Sequence, residues 1–427
     1  MLQSMDVPDC IYRGKPVTIT PSAPTPKHSL YLSNLDDQKF LRFSIKYLYL
    51  FSKSISLDVL KSSLGRVLVD YYPLAGRLRT VDDHKLEVDC NGEGAIFAEA
   101  FMDTTLHQLL EPSKTPNKSW KKFLYKVEAH TFTDVPPLVI QVTGLGCGGM
   151  ILCTAISHCI CDGIGTSQFL EAWGSVSRNA EMTKMPFHWR EGLKGREPPE
   201  VKFRHPWYRA ESEVKKLVSL LQSESESLVA TSLTLTPSHI LSLKNNNNIN
   251  NSTSFEVLAA HTWRSWISSL SLPPTLTVNL LFSVNVRPVL NLPEGYYGNA
   301  FILACAQSTV HDLLGCDLRH AVQLVQEAKA RARKQDYVRS FLDFLHHDKT
   351  LVTDLSTSFV ISQWSNLGLE DLDFGQGKPL HMGPLTSDVY CLFLPVIGHP
   401  HAIRLLLSLP PTMLQSFHYH MNLTTTN

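Results

Sequence analysis

Apolar residues recur along this chain with two different periods, and the switches between them outline the elements. Residues 44–51, Ser-Ile-Lys-Tyr-Leu-Tyr-Leu-Phe, alternate as a strand does, with side chains turned to opposite faces. Leu57, Leu60, Leu64, Val67 and Leu68 instead fall three and four apart, so 56–71 reads as a helix that stops at Pro73. Further strands are expected at 85–88, 95–100, 138–143 and 150–157, separated by turns bearing Gly or Pro. Helical spacing returns at 167–177.

The character changes over 181–211, where Pro186, Pro198, Pro199 and Pro206 sit among charges and no period is kept. A stretch this long is expected to be an ordered crossing between two bodies rather than a loop inside one core. Beyond it, 229–235 reads as a strand and 237–244 as a helix. The polar tract 245–251 is expected to be a flexible surface loop. Helices are expected at 254–268 and 320–333, the second rich in good helix formers. Strands are expected at 276–285, 299–306, 358–362, 389–396 and 402–409. The fold class is therefore α/β, as two mixed halves over 1–180 and 226–427, joined by a crossover linker at 181–225.

Composition changes this picture little. Among 427 residues, 39 Lys and Arg balance 39 Asp and Glu, so no overall field favours nucleic acid or an anionic membrane. A local basic patch for a phosphorylated ligand stays open. The chain begins without the basic start and apolar run of a secretory signal, and no stretch approaches about 18 apolar residues, the minimum for a span. A monomeric, cytoplasmic protein is expected. The nine cysteines are scattered without framework spacing and read as free thiols.

The stretch that carries chemistry is Ile156-Ser157-His158-Cys159-Ile160-Cys161-Asp162-Gly163-Ile164-Gly165. An apolar strand delivers a histidine to a glycine-bearing turn, with an aspartate four residues on. An imidazole, with an ordinary pKa of about 6.5, is the side chain best matched to general base work near neutral pH. The aspartate can point away and pin the turn through a charge pair. A core histidine with a turn aspartate is the plainer alternative. No second ligand pair at metal spacing accompanies His158, Cys159 and Cys161, so no metal is expected. No Gly-x-Ser-x-Gly elbow supports a serine nucleophile.

Four blocks together resemble the plant BAHD acyltransferases. His158-Cys159-Ile160-Cys161-Asp162-Gly163 is similar to that family's His-x-x-x-Asp-Gly signature. Asp371-Leu372-Asp373-Phe374-Gly375-Gln376-Gly377 resembles its Asp-Phe-Gly-Trp-Gly block, with Gln376 where the family has Trp. Tyr71-Tyr72-Pro73-Leu74-Ala75-Gly76-Arg77 matches a third block, and Asn285-Val286-Arg287-Pro288 followed by Gly295-Tyr296-Tyr297-Gly298-Asn299 a fourth.

The resemblance implies two chloramphenicol-acetyltransferase-like halves with an active-site channel at their interface, and a coenzyme A thioester as substrate with no resident cofactor. It makes His158 the general base and pairs Asp162 structurally with Arg287. Ser362 and Trp364 fall where relatives line the reaction centre, so a hydroxyl and an indole N–H could serve the oxyanion there; a packed strand end is the alternative. Ser252, Thr253 and Ser254 fall in a segment that lies along the CoA phosphates, with a plain helix cap as the alternative. Asp373, Phe374, Gly375, Gln376 and Gly377 form a structural loop. Stretches 32–38, 295–301 and 384–388 resemble the hydroxycinnamoyl-CoA-using branch, and the chain as a whole, including Ile361-Ser362-Gln363-Trp364 and the absence of Trp at 376, is most similar to its coumarin-forming members. That leaves three expectations open: internal lactonisation of an ortho-hydroxycinnamoyl-CoA, transfer to a fatty alcohol or ω-hydroxy acid, and a non-catalytic partner that keeps the fold.

Overall fold

The computed structural model describes residues 7–81, 85–210, 213, 228–348, 351–355, 358–386 and 390–422. Parts of the expected linker, and Ser387, Asp388 and Val389 of the expected strand and branch stretch, lie outside the described residues. The chain forms two compact units. The first is Met1–Lys194, Asn291–Ala300 and Asn366–Thr386; the second is Gly195–Leu290, Phe301–Ser365 and Ser387–Asn427. These units differ from the expected 1–180, 181–225 and 226–427. The linker has no body of its own, and the Asp373–Gly377 loop belongs to the first unit, not to the C-terminal half.

The first unit is built on a sheet ordered Ile11–Tyr12, Ala95–Met102, Leu138–Leu145, Met150–Ser157, Ser44–Phe51, His381–Pro384, with Val17–Ile19 also pairing Ala95–Met102. Met150–Ser157 is buried along its whole length. It runs antiparallel to Ser44–Phe51, Ser157 opposite Ser44 and Met150 opposite Phe51. Helix Leu57–Asp70 is capped by Ser56, whose hydroxyl accepts from Val59 N–H, and buries Leu60, Leu64, Val67 and Leu68. It packs against helix Gly163–Ser177, whose Trp173 donates its indole N–H to the Leu60 carbonyl (3.1 Å) and Ser63 hydroxyl (3.0 Å).

The second unit carries a sheet ordered Val229–Leu235, Ile403–Leu409, Cys391–Pro395, Ser358–Gln363, Thr277–Asn285, Phe301–Thr309. Ser358–Gln363 is parallel to both of its neighbours. Its helices include Ser254–Ser268, Leu318–Ala332, Gln335–His347 and Pro411–Asn422. The last two are absent from the sequence reading. Gln335–His347 buries Tyr337, Val338, Phe341 and Leu342, but Lys334 before it makes no side-chain cap, so the usual start signal is missing. Pro411–Asn422 opens directly behind Pro410 and buries only Phe417 and Met421.

The asparagine tract is a correction. Asn245 and Asn246 end helix Pro237–Asn246, and Asn247 caps it, its side chain donating to the Leu243 carbonyl (2.8 Å). Asn248 takes φ 54°, a left-handed conformation that asparagine tolerates, and turns Ile249 into the interior. Among the described residues no helix is long and apolar enough to cross a membrane.

Candidate functional site

His158 is the first residue beyond the buried strand Met150–Ser157. Its N–H still donates to the Phe43 carbonyl (2.9 Å), so the sheet holds its backbone while the ring stands at the strand's end. The ring is half-buried and meets Phe43 edge-on, centroids 5.4 Å apart. Burial pushes the imidazole below its ordinary value; a contact with its own backbone, Asp162 and Asn299 push the other way. The net result favours the neutral imidazole, the form a general base needs at neutral pH.

Asp162 caps the helix that follows, which starts at Gly163 rather than at 167. One carboxylate oxygen accepts from Gly165 N–H (2.9 Å), the other from Ala300 N–H (3.1 Å). Gly165 is required here because a methyl group on it would collide with the Tyr297 carbonyl. The motif is thus a strand end, a turn and a helix cap locked together within one unit.

Behind the turn lies a buried charged group that the motif does not announce. Asp36 and Arg190 form an ion pair of 2.7 Å, with their side chains 0% and 1% exposed. Asn299 donates its side-chain N–H groups to Asp36 (2.9 Å) and to the His158 carbonyl (2.6 Å), and its backbone N–H to Asp36 (2.9 Å). Arg190 also donates to the Ile160 carbonyl (2.8 Å). Ser33 completes the shell, giving its N–H and hydroxyl to Asp36 (2.9 and 2.6 Å). Burial alone would lower the arginine's pKa, yet Asp36 keeps it above the ordinary value.

Cys159 and Cys161 are buried beside the histidine, and burial pushes both thiols up, Cys161 to about 12. At neutral pH neither offers a thiolate, the form a nucleophile or metal ligand needs. Among the described residues no group of His, Cys, Asp and Glu gathers as a metal site.

The other expected residues divide between the units. Asp373 accepts from Gly375 and Gly377 N–H (2.7 and 3.0 Å), closing a turn in which both glycines have φ near +100° (100° and 97°). Phe374 is buried against Trp173 and Phe51, at centroid distances of 4.9 and 6.1 Å, while Gln376 is exposed.

Arg287, Ser362, Trp364, Ser252, Thr253 and Ser254 belong to the second unit. Arg287 follows strand Thr277–Asn285 and donates its backbone N–H to the Asn285 side chain (3.1 Å). Ser362 is half-buried near the end of strand Ser358–Gln363, and Trp364 is buried, its backbone N–H donating to the Phe393 carbonyl (2.8 Å). Thr253 caps helix Ser254–Ser268 in a reciprocal box: its hydroxyl accepts from Glu256 N–H, and its own N–H donates to the Glu256 carboxylate (3.0 Å). Ser252 is buried, and its hydroxyl accepts from Gln326 (3.2 Å).

Asp36, Arg190 and Asn299 are the residues around this turn that the sequence does not single out. Asp36 and Asn299 lie inside stretches 32–38 and 295–301, which carry the branch resemblance, but nothing there marks them as partners. An aspartate directly behind the apolar pair Leu32 and Leu35 was the available signal. Arg190 carried none, being one charge among many in the expected linker.

The family model described as the transferase family matches residues 14–424. The ω-hydroxypalmitate O-feruloyl transferase of Arabidopsis thaliana is 33% identical, the alignment covering 95% of this chain and 92% of that protein. The benzyl alcohol O-benzoyltransferase of Petunia hybrida is also 33% identical, over 91% and 86%. The crystal structure of F. graminearum TRI101 with coenzyme A and T-2 mycotoxin matches in fold, with TM-score 0.77 and 16% identity over 91% of this chain and 96% of that one. A histidine in a His-x-x-x-Asp-Gly turn at a strand end, a match over nearly the whole chain and relatives of this kind lead to one conclusion: the chain belongs to the transferase family of BAHD acyl-CoA-dependent acyltransferases.

Proposed function

We propose that the protein transfers hydroxycinnamoyl groups from coenzyme A with His158 as general base, and that its own reaction is internal: lactonisation of an ortho-hydroxylated cinnamoyl-CoA, as a coumarin synthase. The observation that carries the base assignment is His158 itself. Its ring is half-buried at the strand end, burial favours its neutral form, and its backbone is fixed at both N–H and carbonyl. The similarity to a feruloyl transferase supports the donor class. Stretches 32–38 and 295–301 support the hydroxycinnamoyl-CoA branch, and the internal reaction rests on the likeness of the chain as a whole to its coumarin-forming members, with Ile361-Ser362-Gln363-Trp364 and Gln376 in place of Trp.

The imidazole takes the proton of the ortho phenol as that oxygen attacks the thioester carbonyl. The C–S bond breaks, and the imidazolium returns the proton to the departing CoA thiolate. Ring closure also needs the side-chain double bond to pass from trans to cis. Ser362 and Trp364 enter as oxyanion donors on the family pattern alone; a donor of this kind is worth about 3–4 kcal/mol in characterised enzymes. Orientation supplies much of the rest, since an internal nucleophile has an effective molarity that no dissolved alcohol reaches.

The test is incubation of the purified protein with 2-hydroxy-p-coumaroyl-CoA, in the dark and without acceptor. The expected product is lighter than the free acid by one water, released with CoA above a no-enzyme control. His158→Ala should lower turnover about 100- to 10,000-fold while remaining folded. A second reading, transfer to an aliphatic alcohol, is favoured by the name of the Arabidopsis relative. Esters formed only with an added long-chain alcohol would select it and reject lactonisation. If no donor yields either product, the non-catalytic reading takes over.

A further inference from the structure

We infer that Arg190, Asp36 and Asn299 are positioning residues for the catalytic base: one buried ion pair whose two arms fix the backbone on either side of the His158 turn. The inference rests on His158 being the base. At the strand end the sheet holds only the N–H of His158. The carbonyls of His158 and Ile160 then face inward, where each needs a donor. Asn299 supplies the first at 2.6 Å and Arg190 the second at 2.8 Å. Both donors are fastened to the same carboxylate oxygen of Asp36, at 2.9 and 2.7 Å. Asp162 adds a third fixed point by accepting from Ala300, the residue after Asn299.

The chemistry of each group fits this task. A planar guanidinium fork reaches a carboxylate and a carbonyl at once from fixed directions, which an ammonium at the same place does not. The fork is given room by Gly298, where a methyl group would come within 2.6 Å of the guanidinium. A buried ion pair is a costly way to hold a core together, because well-packed apolar residues often do as well or better. What apolar residues cannot do is direct two backbone carbonyls. Arg190 comes from a stretch whose neighbour Trp189 is 52% exposed, so the chain turns this one residue inward to reach the turn.

The distinguishing variant is the double substitution Asp36→Asn with Arg190→Met, which removes both charges while keeping volume. If the pair serves only the fold, the double variant should recover both melting temperature and kcat relative to Asp36→Asn alone. We expect recovery of folding only. The kcat for acyl transfer should stay about 10- to 100-fold down, with KM for the acyl-CoA within about threefold, since the lost groups act through orientation. Arg190→Lys should give an intermediate kcat.

Amide hydrogen exchange over residues 157–165 provides a readout that needs no substrate. Exchange should be at least about tenfold faster in the folded double variant. Wild-type kcat, or unchanged exchange in that segment, overturns the inference. Should the double variant not fold, Asn299→Ala removes the His158 carbonyl contact and one side-chain bond to Asp36 while leaving the ion pair in place, and the same two measurements decide. If the wild-type protein transfers no acyl group from any donor, the functional reading fails, and the exchange result still decides whether these residues hold the turn.

Discussion

Two buried aspartates, one in each compact unit, fasten successive stretches of the segment that the sequence marks as a linker, and they do so under different conditions. Asp36 in the first unit takes Arg190, and both side chains are sealed from solvent. Asp343 in the second unit, 1% exposed, takes Arg196, which is 42% exposed and also reaches Glu200. Asp343 further accepts the backbone N–H groups of Arg196 and Glu200 (2.6 and 3.0 Å). Burial alone would raise its pKa, but these bonds hold it below the ordinary carboxylate value. The two pairs look alike on paper. They differ in what replaces a lost partner: water can reach a half-open site and cannot reach a sealed one.

The sharpest way to break this comparison is to remove one partner from each pair. Asp36→Ala leaves a charged guanidinium buried with no counter-charge and should cost about 3–5 kcal/mol in urea unfolding. Arg196→Ala exposes Asp343 to solvent while its backbone donors remain, and should cost about 1 kcal/mol or less. Equal costs would mean that burial of the partner does not set the worth of these pairs.

A third carboxylate sharpens the same point through pH. The Glu256 side chain is 8% exposed and Lys329, its partner at 2.7 Å, is 20% exposed. Burial works to raise its pKa, but Lys329, the Thr253 N–H and Gln326 bring it down to about 2. A carboxylate depressed in the folded state stabilises fully above its unfolded value and loses that contribution as pH falls toward its folded one. Unfolding free energy should therefore fall by about 3 kcal/mol between about pH 4.5 and pH 2 on account of this group. Glu256→Gln should flatten that part of the profile. An unchanged acid slope would remove Glu256 from the account.

The smallest effect is expected at Gln376. It is exposed, on a loop held by Asp373 and Phe374 rather than by residue 376. Gln376→Trp should shift stability by no more than about 0.5 kcal/mol and leave the product unchanged. A changed product with unaltered stability would show that this loop reaches the chemistry.

Much of the frame was legible because its signals are local. Residues 44–51, 150–157, 229–235 and 254–268 form the elements expected, with the same ends. Thr253 and Ser157 sit at true boundaries. The helix expected from 167 begins at Gly163 because Asp162 caps it, one carboxylate oxygen accepting from Gly165 N–H. Helix Gln335–His347 escaped notice because no cap announces it. The composition of the polar tract 245–251 says nothing of a cap at Asn247 or of Ile249 turning inward.

The sequence by itself determined the family, the strand–turn–helix that presents His158, and the residues of the Asp373–Gly377 turn, because each depends on neighbours within a few positions. Tertiary structure alone decided which distant side chains hold that turn. Asp36, His158, Arg190 and Asn299 lie more than a hundred residues apart at their extremes, and no period links them. A charge can be buried only where its partners converge in space, and convergence is a property of the folded chain.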